Sequence, residues 1–281
     1  MRIARYARPG TDPAYGLVEL VDDGGDHPDT VATLTGDPLA GPVNLTGERH
    51  PLAEVRLLAP VIPRSKIVGV GRNYAAHAAE LGNTVDANPL VFLKPNTSVI
   101  GPDDPIIKPV ETDDLQFEGE LAVVIGRICR LVPVDRVAEV IFGYTVANDV
   151  TARDVQKTDK QWTRAKGWDS FCPLGPWIVS HLSLDEAAAL DVTTTLDGEV
   201  KQHGSTADMV HSIPELVSYI SGFTTLLPGD VILTGTPAGV ARMVPGQRVS
   251  IEIGSIGALS NPIVDGTQTL GYGDEESPAG Q

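Results

Sequence analysis

Cysteine is scarce: two residues in 281, Cys129 and Cys172. That excludes a disulfide framework and suits a reducing compartment. No apolar run approaches the ~18 residues a membrane-spanning helix needs. The first eight residues, which include Arg2, Arg5 and Arg8, lack the apolar stretch of a secretory leader, so cytoplasm is the expected location. Positive charge is in deficit, with 21 Lys and Arg against 37 Asp and Glu and a net charge of −16. Such a surface repels phosphate backbones and anionic lipids, which removes nucleic acid and membrane from the expected partners. Its simplest effect is solubility. An anionic small molecule would need a local island of positive charge. No internal repeat is present, and no regular alternation of strand and helix patterns, which excludes a Rossmann or barrel reading. No His/Cys set has zinc-like spacing.

What is abundant is glycine (29) and proline (22), spread along a chain that is 42% hydrophobic. Many short strands joined by tight turns follow, so the expected class is mainly β with a few short helices. Strand-like runs fall at 66–71, 90–93, 121–125, 144–147, 177–179, 192–196, 231–233 and 249–253. Helical spacing falls at 133–141, 185–190 and 213–222, the last with Pro214 in its first turn and Gly222 past its end. Residues 1–60, rich in Asp, Gly, Pro and Thr, are expected to form a small β-rich N-terminal domain. Residues 61–266 follow as the main domain, and 267–281 as a polar, disordered tail.

Local chemistry is clearest at Phe117-Glu118-Gly119-Glu120-Leu121. In a strand, Glu118 and Glu120 point to one face, at the mouth of a run that becomes continuously apolar. Like charges there destabilise each other unless a cation lies between them. A second apolar run ends in Asn148-Asp149, and Asp149 could complete a three-oxygen Mg²⁺ or Mn²⁺ site. The alternative is a pair of solvated charges flanking a strand.

Residues 73–82 read as a short helix with Asn73 as N-cap and Gly82 as stop. His77 and Glu80, three apart, share a face, so Glu80 can orient the imidazole of a general base on a lid. A surface His–Glu pair is the plainer alternative. Arg153 and Gln156 on one helical turn could grip a carboxylate, and Lys166 sits among aromatics. Lys94 ends an apolar run, and the amides and hydroxyl of residues 235–239, with Thr236, could receive anion oxygens.

In order along residues 65–265, these segments resemble the fumarylacetoacetate hydrolase family: Val70-Gly71-Arg72-Asn73-Tyr74 with His77, Phe92-Leu93-Lys94-Pro95, Glu118-Gly119-Glu120, Ala147-Asn148-Asp149, Trp162-Thr163-Arg164-Ala165-Lys166, Gly235-Thr236-Pro237 and Asn261-Pro262. The resemblance implies a mixed β-sheet roll, a homodimer and a divalent metal on Glu118, Glu120 and Asp149. It implies a His77–Glu80 lid dyad, an active-site Lys166, and Arg72, Tyr74, Lys94, Arg153, Gln156 and Thr236 about the substrate. The short bacterial branch it is most similar to implies a small 2-oxo or 2-hydroxy-enoic dicarboxylic acid as substrate. The reaction would be isomerisation of 2-hydroxyhepta-2,4-diene-1,7-dioate or decarboxylation of oxaloacetate, with acylpyruvate hydrolysis as the alternative. A non-catalytic metal- or metabolite-binding β protein is the reading from another class.

Overall fold

Alternation of buried apolar side chains builds two facing sheets. The computed structural model describes residues 1–21 and 27–266; the tail expected at 267–281 lies outside the described residues. The larger sheet has twelve strands. Its main path runs Leu45–Pro51, Thr30–Leu34, Ala14–Glu19, Arg2–Ala7, Cys172–Val179, Ile141–Asn148, Gly119–Ile125, Val231–Leu233, Ile67–Gly71 and Leu90–Lys94. Neighbours on this path are antiparallel except Val231–Leu233 beside Ile67–Gly71, which makes the sheet mixed. The smaller sheet orders Glu199–Ser205, Asp191–Leu196, Arg248–Ile253, Gly257–Asp265 and Ile106–Lys108.

The strand Gly119–Ile125 is buried at every residue, as its central place demands. Its side chains divide by the period of two: Leu121, Val123 and Ile125 join the main core with Val192 and Ile251 of the smaller sheet. Ala122 and Val124 face the other way, with Ile67, Leu174 and Val231. Where the strand begins, the sheets close up. A Cβ on Gly119 would lie 2.4 Å from Thr194 Oγ1 and 3.1 Å from Ile251 Cγ2, so only glycine permits that approach.

All eight expected strands are present, seven of them inside an observed one; the run at 66–71 starts one residue before Ile67–Gly71. Glu199–Ser205 and Gly257–Asp265 were not anticipated, because one is largely polar and the other contains Pro262. The helix expected at 213–222 is Ile213–Phe223, opened by a Ser212/Glu215 capping box. Residues 133–141 form a 3₁₀ helix, Val134–Glu139, in place of an α-helix. Val137 is its one buried residue, too little apolar surface to hold a longer element. The helix expected at 185–190 is Leu184–Ala187, opened by a Ser183/Glu186 capping box. Residues 1–60 are β-rich and extend the large sheet, with Arg2 opposite Val179 and Ile3 opposite Ile178. Their Ala4, Tyr6, Val18 and Val31 enter the main core.

Candidate active site

Antiparallel register brings the carboxylates together. Gly119 pairs with Asn148, so Glu118 and Asp149 lie side by side at the same sheet end, where the Asp149 N–H donates to the Glu118 carbonyl at 2.9 Å. Glu120, two residues on, points the same way as Glu118. One oxygen from each of Glu118, Glu120 and Asp149 lies within 4.8 Å of the others, and all three residues are buried. The expected convergence is therefore met in space, across a chain separation that strand pairing alone closes.

Cations surround the cluster unevenly. Lys166 Nζ donates to Glu118 Oε2 at 2.7 Å and to Asp149 Oδ2 at 2.6 Å. Lys94 Nζ donates to Asp149 Oδ1 at 2.6 Å and to the Lys166 carbonyl. Arg153 Nη2 donates to Glu118 Oε1, and Nη1 to Gln156 at 2.6 Å. Phe92 lies below the Lys166 ammonium, its ring centre 5.2 Å from Nζ. Burial works against the Glu118 carboxylate, but Lys166, Arg153 and His77 outweigh it and hold the group well below the usual carboxylate range. Burial also opposes the charge on Lys166, yet Asp149 and Glu118 push that ammonium up, so it stays protonated.

Glu120 is different. It forms no ion pair among the described residues and accepts the Gly235 N–H at 2.6 Å. Burial first, then the charges of Asp149 and Glu118, drive its carboxyl well above the usual range, so it favours holding a proton. Three hard oxygen donors, one of them carrying a proton that a divalent cation would displace, fit Mg²⁺ or Mn²⁺ and give zinc no nitrogen or sulfur ligand.

The helix Ala75–Glu80 faces Glu118 and Glu120 across a cavity of about 40 Å³. His77 Nδ1 is 3.1 Å from Glu80 Oε2, which leaves Nε2 as the nitrogen free of Glu80. Arg72, Gln156, Trp162 and Thr236 share the wall with His77, Glu118 and Glu120. A single water needs roughly 10–15 Å³ in the same measure, so the cavity has room for a few. Tyr74, and not Asn73, is the N-cap. Asn73 instead anchors the segment, its Nδ2 donating to the Thr234 and His211 carbonyls at 2.8 and 3.0 Å. Arg72 adopts a left-handed φ of 59° as the chain leaves Ile67–Gly71, and its Nη1 meets Asp86 at 3.3 Å.

Two expected substrate contacts sit behind the wall. Lys94 supports Asp149, and the buried Tyr74 hydroxyl has no hydrogen-bond partner among the described residues. The turn at 235–239 also differs from expectation. Its Gly235 and Gly239 N–H groups receive the protein's own Glu120 and Glu80, the latter at 3.1 and 3.2 Å. The Thr236 hydroxyl donates to the Gly119 carbonyl at 2.9 Å and accepts from Gln202 Nε2 at 2.8 Å, so it has only a lone pair left to offer. Gln202 escaped sequence reasoning altogether. A larger groove of about 690 Å³ is lined by Ile107, Val110, Arg164 and Trp168. Its Arg164 is paired with Asp159, and it gathers no comparable chemistry.

Fold and site together define a class: a mixed-β scaffold whose strand ends cage three carboxylates beneath a His–Glu pair. The chain belongs to the fumarylacetoacetate hydrolase family. The family profile described as "Fumarylacetoacetate (FAA) hydrolase C-terminal" matches residues 66–264, and one described as "Rv2993c-like, N-terminal" matches residues 1–60. Protein Rv2993c of Mycobacterium tuberculosis is 50% identical over 94% of this chain and 98% of its own length. The crystal structure of 2-hydroxyhepta-2,4-diene-1,7-dioate isomerase from Mycobacterium marinum superposes with a TM-score of 0.85. Its identity is 47%, over 94% of this chain and 98% of that one. Oxaloacetate tautomerase YisK of Bacillus subtilis is 43% identical over 76% of this chain and 75% of its own length.

Proposed function

We propose that this chain is a divalent-cation-dependent isomerase that moves a proton within a small 2-oxo or 2-hydroxy-enoic dicarboxylic acid. Keto–enol exchange of oxaloacetate and double-bond migration in 2-hydroxyhepta-2,4-diene-1,7-dioate are its two candidate forms. The observation that carries the reading is that Glu118 and Glu120 of the acidic triad and His77, paired with Glu80, line one small cavity. A binding module has no need of the dyad. The similarity to an isomerase and to an oxaloacetate tautomerase supports the same class.

Glu118, Glu120 and Asp149 would hold the cation, Mg²⁺ with Mn²⁺ as substitute. Bound there, it supplies Lewis acidity toward a 2-oxo oxygen. The chain's own groups do the rest. Glu80 accepts the Nδ1–H of His77 and so fixes the tautomer whose Nε2 lone pair can take a proton from the carbon beside the carbonyl. The same nitrogen can return that proton at another atom. Lys166 keeps a fixed positive charge at the edge of the triad, where negative charge grows on the substrate. Arg72, beyond its contact with Asp86, and the NH₂ of Gln156, whose oxygen takes Arg153, are the wall donors that would meet the distal carboxylate. A homodimer in the cytoplasm completes the proposal.

The test is turnover of oxaloacetate, the hydroxydienedioate and an acylpyruvate under identical Mg²⁺, followed by ultraviolet absorbance and by product NMR. Proton relocation with the carbon skeleton intact is expected. It should fall by on the order of 100-fold or more with EDTA or with Glu118→Gln, since even partners of metal ligands contribute about 10–100-fold. Release of carbon dioxide or C–C cleavage would reassign the reaction. Equal rates in wild type and Glu118→Gln would leave a binding protein.

A further inference from the structure

Gln202 is the one buried residue of its strand, Glu199–Ser205, and every polar atom of its side chain is engaged. Its Oε1 accepts the Gly119 N–H at 3.1 Å. Its Nε2 donates to Thr236 Oγ1 at 2.8 Å and to the Pro237 carbonyl at 2.7 Å. Thr236 Oγ1 in turn donates to the Gly119 carbonyl at 2.9 Å, which closes a ring. The amide can sit only this way round. Reversed, it would set NH₂ against the Gly119 N–H and oxygen against the Pro237 carbonyl.

Gly119 stands between Glu118 and Glu120, and the ring holds both of its backbone polar groups. The turn that Gln202 grips presents Gly235 N–H to Glu120 and Gly239 N–H to Glu80. One amide from the smaller sheet is thus tied to two carboxylates of the triad and to the partner of His77. On the far side, Asn148 Oδ1 accepts the Glu118 N–H at 3.0 Å, so the Glu118–Glu120 segment is held from both faces. We propose that Gln202 is a positioning residue. By locking Gly119 to the turn at 235–239, it sets the spacing of the cation-holding carboxylates and the placement of the His77–Glu80 dyad. This rests on the cation reading above.

The measurement is Mn²⁺ affinity by titration calorimetry on the full-length, metal-stripped protein, beside melting temperature in EDTA. The variants are Gln202→Met, Gln202→Glu, Thr236→Val and the double variant Gln202→Met/Thr236→Val. Gln202→Met should weaken Mn²⁺ by about 10–100-fold, the range for groups that orient metal ligands. Gln202→Glu keeps the acceptor for Gly119 but sets an oxygen against the Pro237 carbonyl, so its loss should be at least that of Gln202→Met. The double variant should lose little more than the worse single one, because both open the same ring. A purely structural residue would lower the melting temperature and leave Mn²⁺ affinity of the folded protein within twofold of wild type. That result overturns the inference, as would additive losses. If the Gln202 variants do not fold, Thr236→Val opens the same ring, and unchanged Mn²⁺ affinity there overturns it equally. Wild type failing to take up Mn²⁺ would bring down the proposed function and this inference together. Wild-type binding with unaltered variants brings down the inference alone.

Discussion

Glu120 is the triad member with no cation of its own, and that makes the site pH-sensitive in a definite direction. Its carboxyl in the folded chain titrates above its ordinary value of 4.5, so the folded state keeps a proton the unfolded state has lost. The stability this gives is full below the ordinary value and declines as pH rises toward the raised one. A bound cation takes the proton's place. The rise in melting temperature produced by Mg²⁺ should therefore widen as pH climbs from about 5, just above the ordinary Glu range. Melting curves with Mg²⁺ and with EDTA over that climb check it, and a constant increment would count against protonated Glu120. Glu118 has the opposite sign: its contribution is present above 4.5 and is lost on acidification. At this scale the sequence was informative where chemistry and period coincide. Glu118 and Glu120 share a face by strand alternation, and His77 and Glu80 by helical spacing. Gln202 was illegible because Val200, two residues earlier, is exposed while the glutamine is buried, the reverse of what hydrophobicity suggests. Lys94 could not be told from a solvated lysine, because what neutralises it is Asp149, just past the end of the distant strand Ile141–Asn148.

Among elements, the close approach of the two sheets at Gly119 is the tightest constraint on the site. Gly119→Ala should destabilise the protein by about 1–3 kcal/mol, the usual range for overpacking, and weaken cation binding as the strand end is pushed off Thr194. Urea denaturation and Mn²⁺ titration of the variant measure both. Unchanged stability would mean that Thr194 yields without moving the strand. Eight strands were readable because each is an apolar run bounded by turn residues. Their pairing was not, since register between Gly119–Ile125 and Ile141–Asn148 depends on contacts no local window contains. Short helices were the weak point. The 3₁₀ form of Val134–Glu139 follows from one buried side chain, which a periodic pattern does not reveal. The turn at 235–239 was rightly seen as a donor of N–H groups, but its acceptors belong to the protein.

For the whole molecule, the continuity of the large sheet through Arg2–Ala7 is decisive. A chain starting at Val61 would expose that edge of the Cys172–Val179 strand and the core faces now covered by Ala4 and Tyr6. Size-exclusion chromatography of such a fragment should show aggregation, whereas a single well-folded species would show that residues 61–266 stand alone. Composition marked residues 1–60 as β-rich; it carried nothing about the strand they join. The arrangement around the triad has one more implication, for the order of events in the cell. Lys94, Lys166 and Arg153 set three formal positive charges against three acidic side chains. A zinc finger stays unfolded until its ion arrives. This chain brings its own counterions, so under the proposed function a newly made copy would reach its native shape first and take up its divalent cation afterwards.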